Sequence, residues 1–511
     1  MENAQPDIPG TGTVLRAPGL AAGALLCLAI LVLCDLEPGK PVVTATAAVA
    51  VLMAVWWITE ALPLAVTALV PVVLFPLLGV MNGKAVASQY FNHIIFLFIG
   101  GFIVALAMER WNLHRRIALR ILLLFGNRPR RILLGFMTAT AFLSMWISNT
   151  AATMMMVTIV FAIILKVEGS TTPENARRFS IALLLGVAYS ASIGGISTLV
   201  GTPPNLSFTR IFEIQFPDAP EISFSTWFAF ALPISGVMLM STWFFLSLLF
   251  VPRKGGLTLD EDLIRRQVRD LGPITFNEWV VLADFFLLVA LWLTRTGIKV
   301  GDTTLAGWSS LFAHATYIND GTVAVAMAVL LFMIPARGTA STRIMNWETA
   351  VRLPWHIVLL FGGGFALAGA ISQSGLSDWL GDQLKALGSL DPYLLIAIVC
   401  LTISFLTELT SNTATTEMIL PVMAGLATTI EVDPLFLMVP VTLSCSCAFM
   451  MPVATPPNAI VFGSGRLRVA AMARAGLLLN VAGMIIIVVG MYLLGGLIWG
   501  IDLGQMPVWA R

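Results

Sequence analysis

The stretches "SNTAAT" (148–153) and "SNTATT" (411–416) are nearly identical polar hexapeptides, and each interrupts a long apolar run. The first lies in the middle of the apolar stretch 133–165, and the second lies in the middle of 393–430. Each run has the length of two half-spans, so we expect a helical hairpin that enters the membrane, turns at the hexapeptide and leaves on the side it entered. Irregular backbone at membrane depth is tolerated only where protein or a water-filled cavity surrounds it. The hexapeptides therefore predict two re-entrant hairpins with polar tips.

The two hexapeptides belong to a longer internal duplication. They are 263 positions apart, and so are "FIGGF" (98–102) and "FGGGF" (361–365). "TPPN" occurs at 202–205 and again at 455–458, which is a separation of 253 positions. Three patterns that recur in one order at nearly one spacing indicate a duplicated unit. The glycines of the second pattern predict close packing between helices rather than a ligand loop.

The composition is that of a polytopic membrane protein. Of the 511 residues, 58% are hydrophobic and only 11% are charged, and the mean hydropathy is +0.90. Soluble globular proteins carry roughly 25% charged residues. The net charge of +1 gives no reason to expect a nucleic-acid partner. The five cysteines lie in apolar runs, and neither they nor the four histidines have the spacing of a metal site.

Eleven apolar stretches besides the hairpins are candidate spans, since a helix needs roughly 17–25 residues to cross a bilayer. They are 19–35, 43–58, 62–79, 94–108, 179–202, 226–251, 278–297, 322–335, 355–371, 435–462 and 472–499. With the N-terminus in the cytoplasm and the C-terminus outside, the cytoplasmic loops hold 21 of the 29 Lys and Arg residues. This bias agrees with the positive-inside rule. The segment 109–131 is predicted as an amphipathic helix along the cytoplasmic interface.

In this topology the two hairpins enter from opposite sides, so the two halves of the chain are inverted repeats. Inverted repeats with broken helices near the midplane are typical of secondary transporters. We therefore expect scaffold helices with the interfacial helix at 1–132 and transport elements at 133–251. A second scaffold unit is expected at 252–392, and a second set of transport elements at 393–511. The sequence contains neither the phosphate-binding GxxxxGK[ST] motif nor the TVGYG filter of potassium channels, which disfavours an ATP-driven pump and a potassium channel.

The hexapeptides and the TPPN breaks are predicted to hold ions. A half-helix that begins presents free N–H groups, which attract an anion, and one that ends presents bare carbonyls, which suit a cation. Paired prolines break a helix, so Gly201, Thr202, Ala454 and Thr455 should add free backbone and hydroxyls. No Lys or Arg lies in either hexapeptide or either break. A dianion in such a place needs compensating cations, and sodium fits neutral oxygen ligands.

Several motifs together resemble those of the divalent anion–sodium symporters, which carry Krebs-cycle dicarboxylates, citrate or sulfate. They are "SMWISNTAAT" (144–153), "TELTSNTATT" (407–416), "GTPPN" (201–205), "ATPPN" (454–458) and "WWITEALPL" (56–64). The resemblance covers nearly the whole chain. It implies an all-α protein of eleven spans and two re-entrant hairpins in the plasma membrane, which is the inner membrane of a bacterium. It also implies a homodimer whose scaffold dimerises among membrane lipids while a transport domain moves in elevator fashion.

The resemblance also implies the binding residues. One sodium ion would be held by Ser144, Ser148, Asn149 and the carbonyl of Gly201. A second would be held by Thr407, Asn412 and the carbonyls of Thr410 and Ala454. The anion would contact Ser148, Asn149, Thr150, Thr202, Ser411, Asn412, Thr413 and Thr455. Ser144 and Thr407 are themselves 263 positions apart, so the repeat found in the sequence agrees with the implied sites.

Our interpretation is a sodium-coupled importer of a C4-dicarboxylate such as succinate, malate or fumarate, and not an enzyme. A citrate or sulfate carrier, or a sodium-independent dicarboxylate exchanger of the same fold, is an alternative. The exchanger is disfavoured because it would need a protein cation near the tips. An anion channel is an alternative of another class, disfavoured because a doubly broken midplane does not suggest a continuous pore. Paired catalytic carboxylates, an HExxH motif and a Ser/His constellation are absent from the spans.

Two carboxylates break the symmetry of the repeats. Glu408 and Glu417 correspond to Met145 and Met154, 263 positions earlier. Carboxylates inside the membrane indicate a function by default. Glu408 is expected to support the neighbouring cation site. For Glu417 three interpretations stay open: it faces a polar cavity, it bonds neighbouring helix ends, or it takes up a proton during transport.

Overall fold

The computed structural model describes residues 12–169, 171–252, 262–300, 303–338, 343–503 and 505–511. Almost all regular structure in these ranges is helical, as expected for apolar segments whose backbone polar groups must be satisfied internally in lipid. The predicted cytoplasmic N-terminus and part of the predicted cytoplasmic loop 252–277 lie outside the described residues.

The helices fall into two successive sets along the chain. The first set is α1 Gly12–Leu33, α2 Pro41–Ile58, α3 Leu64–Thr67, α4 Val70–Leu77, α5 Gly83–Gln89, α6 His93–Arg110, α7 Leu113–Phe125, α8 Pro129–Ser144, α9 Asn149–Glu168, α10 Pro173–Ile196, α11 Pro203–Gln215 and α12 Phe224–Phe250. The second set is α13 Asp262–Asp270, α14 Phe276–Thr294, α15 Asp320–Met333, α16 Trp347–Ala350, α17 Trp355–Ser374, α18 Leu376–Leu384, α19 Pro392–Leu406, α20 Asn412–Thr429, α21 Pro434–Cys445, α22 Pro456–Phe462 and α23 Val469–Leu494.

One short antiparallel pair of strands departs from the all-α prediction. It consists of β1 Ile298–Val300 and β2 Thr303–Leu305, with Lys299 opposite Thr304. The pair follows α14, in a connection rich in β-branched residues, which favour strands. It lies outside the candidate spans that we predicted, so the membrane-spanning part of the prediction is unaffected.

Eight of the described helical stretches are long and apolar enough to cross a membrane, judged by length and composition. They are Pro41–Ile58, Gly83–Arg110, Asn149–Glu168, Pro173–Ile196, Phe224–Phe250, Phe276–Thr294, Trp355–Ser374 and Val469–Trp499. The predicted span 62–79 is wrong as a single helix, because α3 and α4 divide it. Pro71 lies in the first turn of α4, where a residue without an N–H starts a helix more readily than it continues one.

Both hexapeptides lie at helix breaks. The first separates α8 from α9, and the second separates α19 from α20. In each, the serine is the N-cap of the second helix: Ser148 accepts the N–H of Ala151 at 3.1 Å, and Ser411 accepts that of Ala414 at 3.5 Å. Serine caps satisfy an N–H that the helix itself cannot. The predicted helix breaks are confirmed.

Both TPPN motifs also lie at interruptions between helices, as predicted. The first begins in the break between α10 and α11, and the second in the break between α21 and α22; in each, the Pro-Pro-Asn residues form the first turn of the following helix. Thr202 and Thr455 are the N-caps of the second helices, with extended backbone at φ −147° and −142°. Extended backbone before proline is the expected conformation. The two breaks are therefore copies of one local structure.

The breaks lie at the centre of the protein. The apolar part of α10 is buried along its whole length, whereas only 28% of that of α23 is buried. Helix α9, which follows the first hexapeptide, packs against α22, which follows the second TPPN. Helix α20, which follows the second hexapeptide, packs against α11, which follows the first TPPN. This exchange of partners joins the two repeats around their breaks.

The glycine patterns allow close helix packing, as predicted. A Cβ atom on Gly100 would lie 2.5 Å from the carbonyl carbon of Ala324 in α15. Gly363, which is 263 positions later, meets the backbone of Ala68 in the same way. In both repeats a glycine is needed because backbone atoms of a neighbouring segment lie where a Cβ atom would be.

The predicted interfacial helix forms only over α7. Its Arg116 is buried, with Nε 2.7 Å from the Glu278 carboxylate and Nη1 2.9 Å from the carbonyl of Gly272. A buried guanidinium needs such partners. The amphipathic helix α7 is therefore held by hydrogen bonds to the start of α14, where Glu278 lies.

Candidate functional site

Three predicted residues of the first repeat come together at Asn149. Its side-chain amide lies 2.5 Å from the hydroxyl oxygen of Ser144. With the amide nitrogen facing its neighbours, it also lies 3.2 Å from the carbonyl of Ala191 and 3.3 Å from that of Gly201. In this orientation both the nitrogen and the oxygen of the amide have suitable surroundings. Asn149 therefore links the hexapeptide to the break between α10 and α11.

The second repeat contains the equivalent pair. The hydroxyl of Thr407 lies 2.7 Å from Oδ1 of Asn412 and 3.0 Å from the carbonyl oxygen of Cys445. Thr407 directly follows α19 and Asn412 begins α20, much as Ser144 ends α8 and Asn149 begins α9 in the first repeat. The spacing of five residues between hydroxyl and amide places both at one point of the turn. The structure therefore brings together the predicted pair in each repeat.

The asparagines of the two TPPN motifs hold the broken helices in shape. The Asn205 amide nitrogen lies 3.2 Å from the Gly195 carbonyl and 2.7 Å from that of Thr198. Asn458 makes the equivalent bonds, at 3.1 Å, to the carbonyls ten and seven residues before it. Each amide thereby satisfies carbonyls that a helix end leaves bare. This role was not predicted from the sequence, although Asn recurs at the same place in both motifs.

Gly195 is a further site residue that the sequence analysis missed. A Cβ atom there would lie 2.8 Å from the Asn149 side chain and 2.9 Å from the carbonyl oxygen of Gly201. The amide and the carbonyl can approach each other only because this residue has no side chain. A glycine in an apolar helix gives no specific signal in the sequence, so its role depends on the fold.

The other predicted residues lie near these two hydroxyl–amide pairs, but not all of them contact the pairs. Thr202 is buried and its side chain does not cap α11, whereas Thr455 accepts the N–H of Asn458 at 3.3 Å. The Thr410 hydroxyl bonds within its own turn, 2.6 Å from that of Thr415. The remaining predicted residues take places in or beside the helix starts: Ser148 and Ser411 as N-caps, Thr150 and Thr413 in the first turns of α9 and α20, and Ala454 just before the second TPPN. Among the described residues, no hydrogen bond joins Thr410 or Ala454 to Asn412.

Glu408 is the charged residue of the second hexapeptide region, and its carboxylate is used internally. It accepts the N–H groups of Phe449 at 2.7 Å and of Met450 and Met451 at 2.8 Å. The amide of Asn480 donates to it at 2.8 Å. Four donors on one carboxylate compensate its burial. Glu408 therefore positions the backbone before the second TPPN, which supports the site indirectly.

A cavity of about 290 Å³ lies apart from the hexapeptides, between α6, α11 and the start of α15. Glu213, Glu221 and Asp320 are among its lining residues. Glu213 lies 2.9 Å from Nη1 of Arg210, and Asp320 lies 2.6 Å from Nε of Arg295. Carboxylates already paired with arginines offer little to a dianion, so this cavity is not the candidate anion site.

The chain matches a known protein family along nearly its whole length. A family model described as the sodium:sulfate symporter transmembrane region matches residues 21–505. The chain belongs to the sodium:sulfate symporter family. Two relatives of this symporter-family chain are sodium-dependent dicarboxylate transporters called SdcS. The one from Staphylococcus saprophyticus is 43% identical over 495 residues, which cover 95% of this chain and 93% of that protein. One from Staphylococcus aureus is 43% identical over 466 residues, which cover 90% of this chain and 87% of that protein.

Solved structures with a similar fold are also membrane transporters. The YdaH transporter of Alcanivorax borkumensis has a TM-score of 0.55 at 14% identity, covering 94% of this chain and 97% of that one. MtrF of Neisseria gonorrhoeae, described with a class of antimetabolite efflux pumps, has a TM-score of 0.53 at 13% identity, covering 80% and 82%. At these identities the likeness concerns the fold alone. The symporter-family chain is thus an integral membrane protein with a transporter fold.

Proposed function

We propose that this protein is a secondary transporter that carries a C4-dicarboxylate, such as succinate, malate or fumarate, together with sodium ions across the plasma membrane. The names of its 43% identical relatives support this proposal. The observation that carries it is the pair of neutral hydroxyl–amide sites, Ser144 with Asn149 and Thr407 with Asn412, at equivalent breaks. No basic side chain lies in the tips or breaks, so a dianion needs cations that enter with it.

We assign one sodium site to the first repeat and one to the second. The first consists of Ser144, Ser148, Asn149 and the Gly201 carbonyl. The second consists of Thr407, Asn412 and the carbonyls of Thr410 and Ala454. Hydrogen bonding favours the orientation in which the nitrogen of Asn149 faces the Gly201 carbonyl, because two oxygen atoms in contact repel each other. Sodium needs both oxygens, so its binding turns the Asn149 amide over.

The anion site lies between the two helix starts. Ser148, Asn149, Thr150 and Thr202 contact the dicarboxylate from the first repeat. Ser411, Asn412, Thr413 and Thr455 contact it from the second. The starts of α9 and α20 add partial positive charge from their free N–H groups. Each sodium ion lowers the electrostatic cost of the dianion, and the dianion lowers that of the sodium ions, which couples the two.

The mechanism follows from the proposed architecture of eleven spans, two re-entrant hairpins and inverted repeats. The transport elements, 133–251 and 393–511, move as a unit past the scaffold elements, 1–132 and 252–392, in elevator fashion. The exchange of packing partners between the hairpins and the TPPN helices supports joint movement. The cytoplasmic N-terminus and the external C-terminus rest on the positive-inside bias, and the homodimer rests on the family resemblance.

Uptake of labelled succinate by proteoliposomes tests the proposal. An inward sodium gradient is expected to raise uptake several times above that in a matched potassium gradient, because the dianion enters its site only with sodium. Unlabelled fumarate and malate should compete, whereas citrate and sulfate should compete weakly. Uptake that ignores the sodium gradient would remove the symport mechanism. Stronger competition by citrate or sulfate would change the substrate class.

The replacement Gly195→Ala tests the first sodium site. The new methyl group would displace the Asn149 amide and the Gly201 carbonyl, so the sodium concentration for half-maximal uptake should rise at least about tenfold, or about 1.4 kcal/mol. Gly236→Ala is the matched control, since a Cβ there meets no atom within 4 Å and alanine is the better helix former. An unchanged sodium dependence in Gly195→Ala would contradict the assignment.

A further inference from the structure

Glu417 is a buried carboxyl group that the proposed transport mechanism does not use. It lies in α20, six residues beyond the N-cap Ser411, and is fully buried. One of its oxygens accepts a hydrogen bond from the hydroxyl of Ser207 in α11. Its other oxygen, Oε2, is buried and has no hydrogen-bond partner among the residues that the structure describes. Because α11 follows the first TPPN and α20 follows the second hexapeptide, the pair joins the two repeats.

The unpartnered oxygen lies against a glycine in a third helix. A Cβ atom on Gly364 of α17 would overlap Oε2 and the carboxyl carbon of Glu417. Gly364 lies inside α17, where its own N–H belongs to the helix, so it offers no donor to the carboxyl group. The missing side chain leaves room for a carboxyl group but nothing that would neutralise a carboxylate.

The helices packed against α20 supply no counter-charge. These are α2, α11, α17, α18 and α21, and Glu417 is the one charged residue of α20 itself. Their titratable and charged side chains are Arg210 and Glu213 in α11, His356 in α17, Asp378 and Asp382 in α18, and Cys445 in α21. Within the part of the chain that the structure describes, none of these forms an ion pair with Glu417. Arg210 instead bonds Glu213 at 2.9 Å and Gln89 at 3.3 Å.

We propose that Glu417 is a proton-binding site, occupied in this conformation, at the contact between α20, α11 and α17. An unpaired buried carboxylate is strongly unfavourable, whereas the neutral acid needs only one good hydrogen bond. In the neutral acid the hydrogen bond to Ser207 reverses its direction: Oε1–H donates to the Ser207 oxygen, and Oε2 is left as a carbonyl oxygen beside Gly364. The bound species is a proton taken from water, and it is released to water when the group ionises.

The effects of this proton site on transport rest on the proposed function. Helix α17 belongs to the proposed scaffold and α20 to the proposed transport elements, so their relative movement would carry Glu417 away from Gly364. This conformation keeps its full stability where the pH is low enough to protonate a water-exposed carboxyl group as well. As pH rises from there toward the value at which the buried acid ionises, the conformation that exposes Glu417 becomes favoured and this one becomes less populated. Sodium-driven uptake should therefore fall with rising pH.

The test compares wild type with Glu417→Gln, a neutral side chain of similar shape that can also donate to Ser207. Sodium-driven uptake of fumarate, a substrate that stays doubly ionised, is measured from about pH 6 to about pH 9. Wild-type uptake should fall at least about fivefold, and Glu417→Gln uptake less than about twofold, since a single site can change up to tenfold per pH unit. Asp378→Asn removes an exposed carboxylate of α18 and should keep the wild-type profile.

Two further measurements keep the proposal falsifiable. Ser207 accepts a hydrogen bond from the neutral acid and donates one to the carboxylate, and the hydrogen bond to the charged form is the stronger. Ser207→Ala therefore disfavours ionisation, and its decline in uptake should move to higher pH. The thermal stability of purified protein in detergent requires no transport, and it should fall more steeply with pH in wild type than in Glu417→Gln. Equal pH dependence of stability and uptake in the two proteins would overturn the proton site. Absence of sodium-driven wild-type uptake at every pH would instead overturn the proposed function.

Discussion

Replacing Asn149 or Asn412 with alanine is expected to reduce sodium-driven dicarboxylate uptake at least about 100-fold, which corresponds to about 2.7 kcal/mol of lost binding. Each amide touches the hydroxyl five residues before it, and Asn149 also reaches the carbonyls of Ala191 and Gly201. Alanine removes a proposed sodium ligand and a proposed anion contact in one step. At position 149 alanine also removes the amide that reaches the Gly201 carbonyl, and a buried group that loses its partner costs about 1–3 kcal/mol.

The measurement is labelled succinate uptake into proteoliposomes containing equal amounts of inserted protein. Asn127→Ala is the matched control, because Asn127 is exposed between α7 and α8 and its loss should leave uptake unchanged. Normal transport by both the Asn149 and the Asn412 variant would remove the site assignment. Loss in one repeat alone would restrict the assignment to that repeat.

Replacing Glu408 with glutamine is expected to destabilise the protein by about 3 kcal/mol and to lower its Tm by on the order of 5 °C. The carboxylate accepts N–H groups from Phe449, Met450 and Met451 and from the Asn480 side chain. Glutamine has one oxygen where the carboxylate has two. Its own N–H₂ group would face a backbone N–H, so at least one buried donor loses its acceptor.

Thermal unfolding of the purified protein in detergent measures this effect. Glu174→Gln is the matched control, since Glu174 is exposed in the first turn of α10 and surface changes usually stay within about 0.5 kcal/mol. Uptake by Glu408→Gln should fall together with stability, because the held backbone leads directly into the second TPPN. A Tm equal to that of wild type would show that the four hydrogen bonds to residue 408 do not require the negative charge of the carboxylate.

The local features of the site could be predicted because each has a local cause. Proline has no N–H and excludes helix before it, so both TPPN motifs interrupt helices wherever they occur in an apolar run. Serine at the start of a helix is a strong N-cap, so both hexapeptides begin helices at Asn149 and Asn412. The common spacing of these signals also revealed the duplication.

Predictions that depended on length alone were less successful. The stretch 62–79 has the length and hydropathy of one span, yet it forms two short helices. The strands β1 and β2 form within a connection for which no strand was predicted. Apolar composition indicates whether a segment can lie in the membrane, but prolines and β-branched residues decide its backbone conformation.

The sequence by itself determined the family motifs, the two broken repeats and the neutral character of their tips, because these depend on residues a few positions apart. Only the tertiary structure decided which groups those tips meet. The Glu408 carboxylate reaches backbone 41 positions away, and Ser207 meets Glu417 across 210 positions. Such contacts result from the packing of helices that the chain brings together only after folding. A glutamate beside a polar hexapeptide looks the same in the sequence whether its partners are four N–H groups or a single hydroxyl.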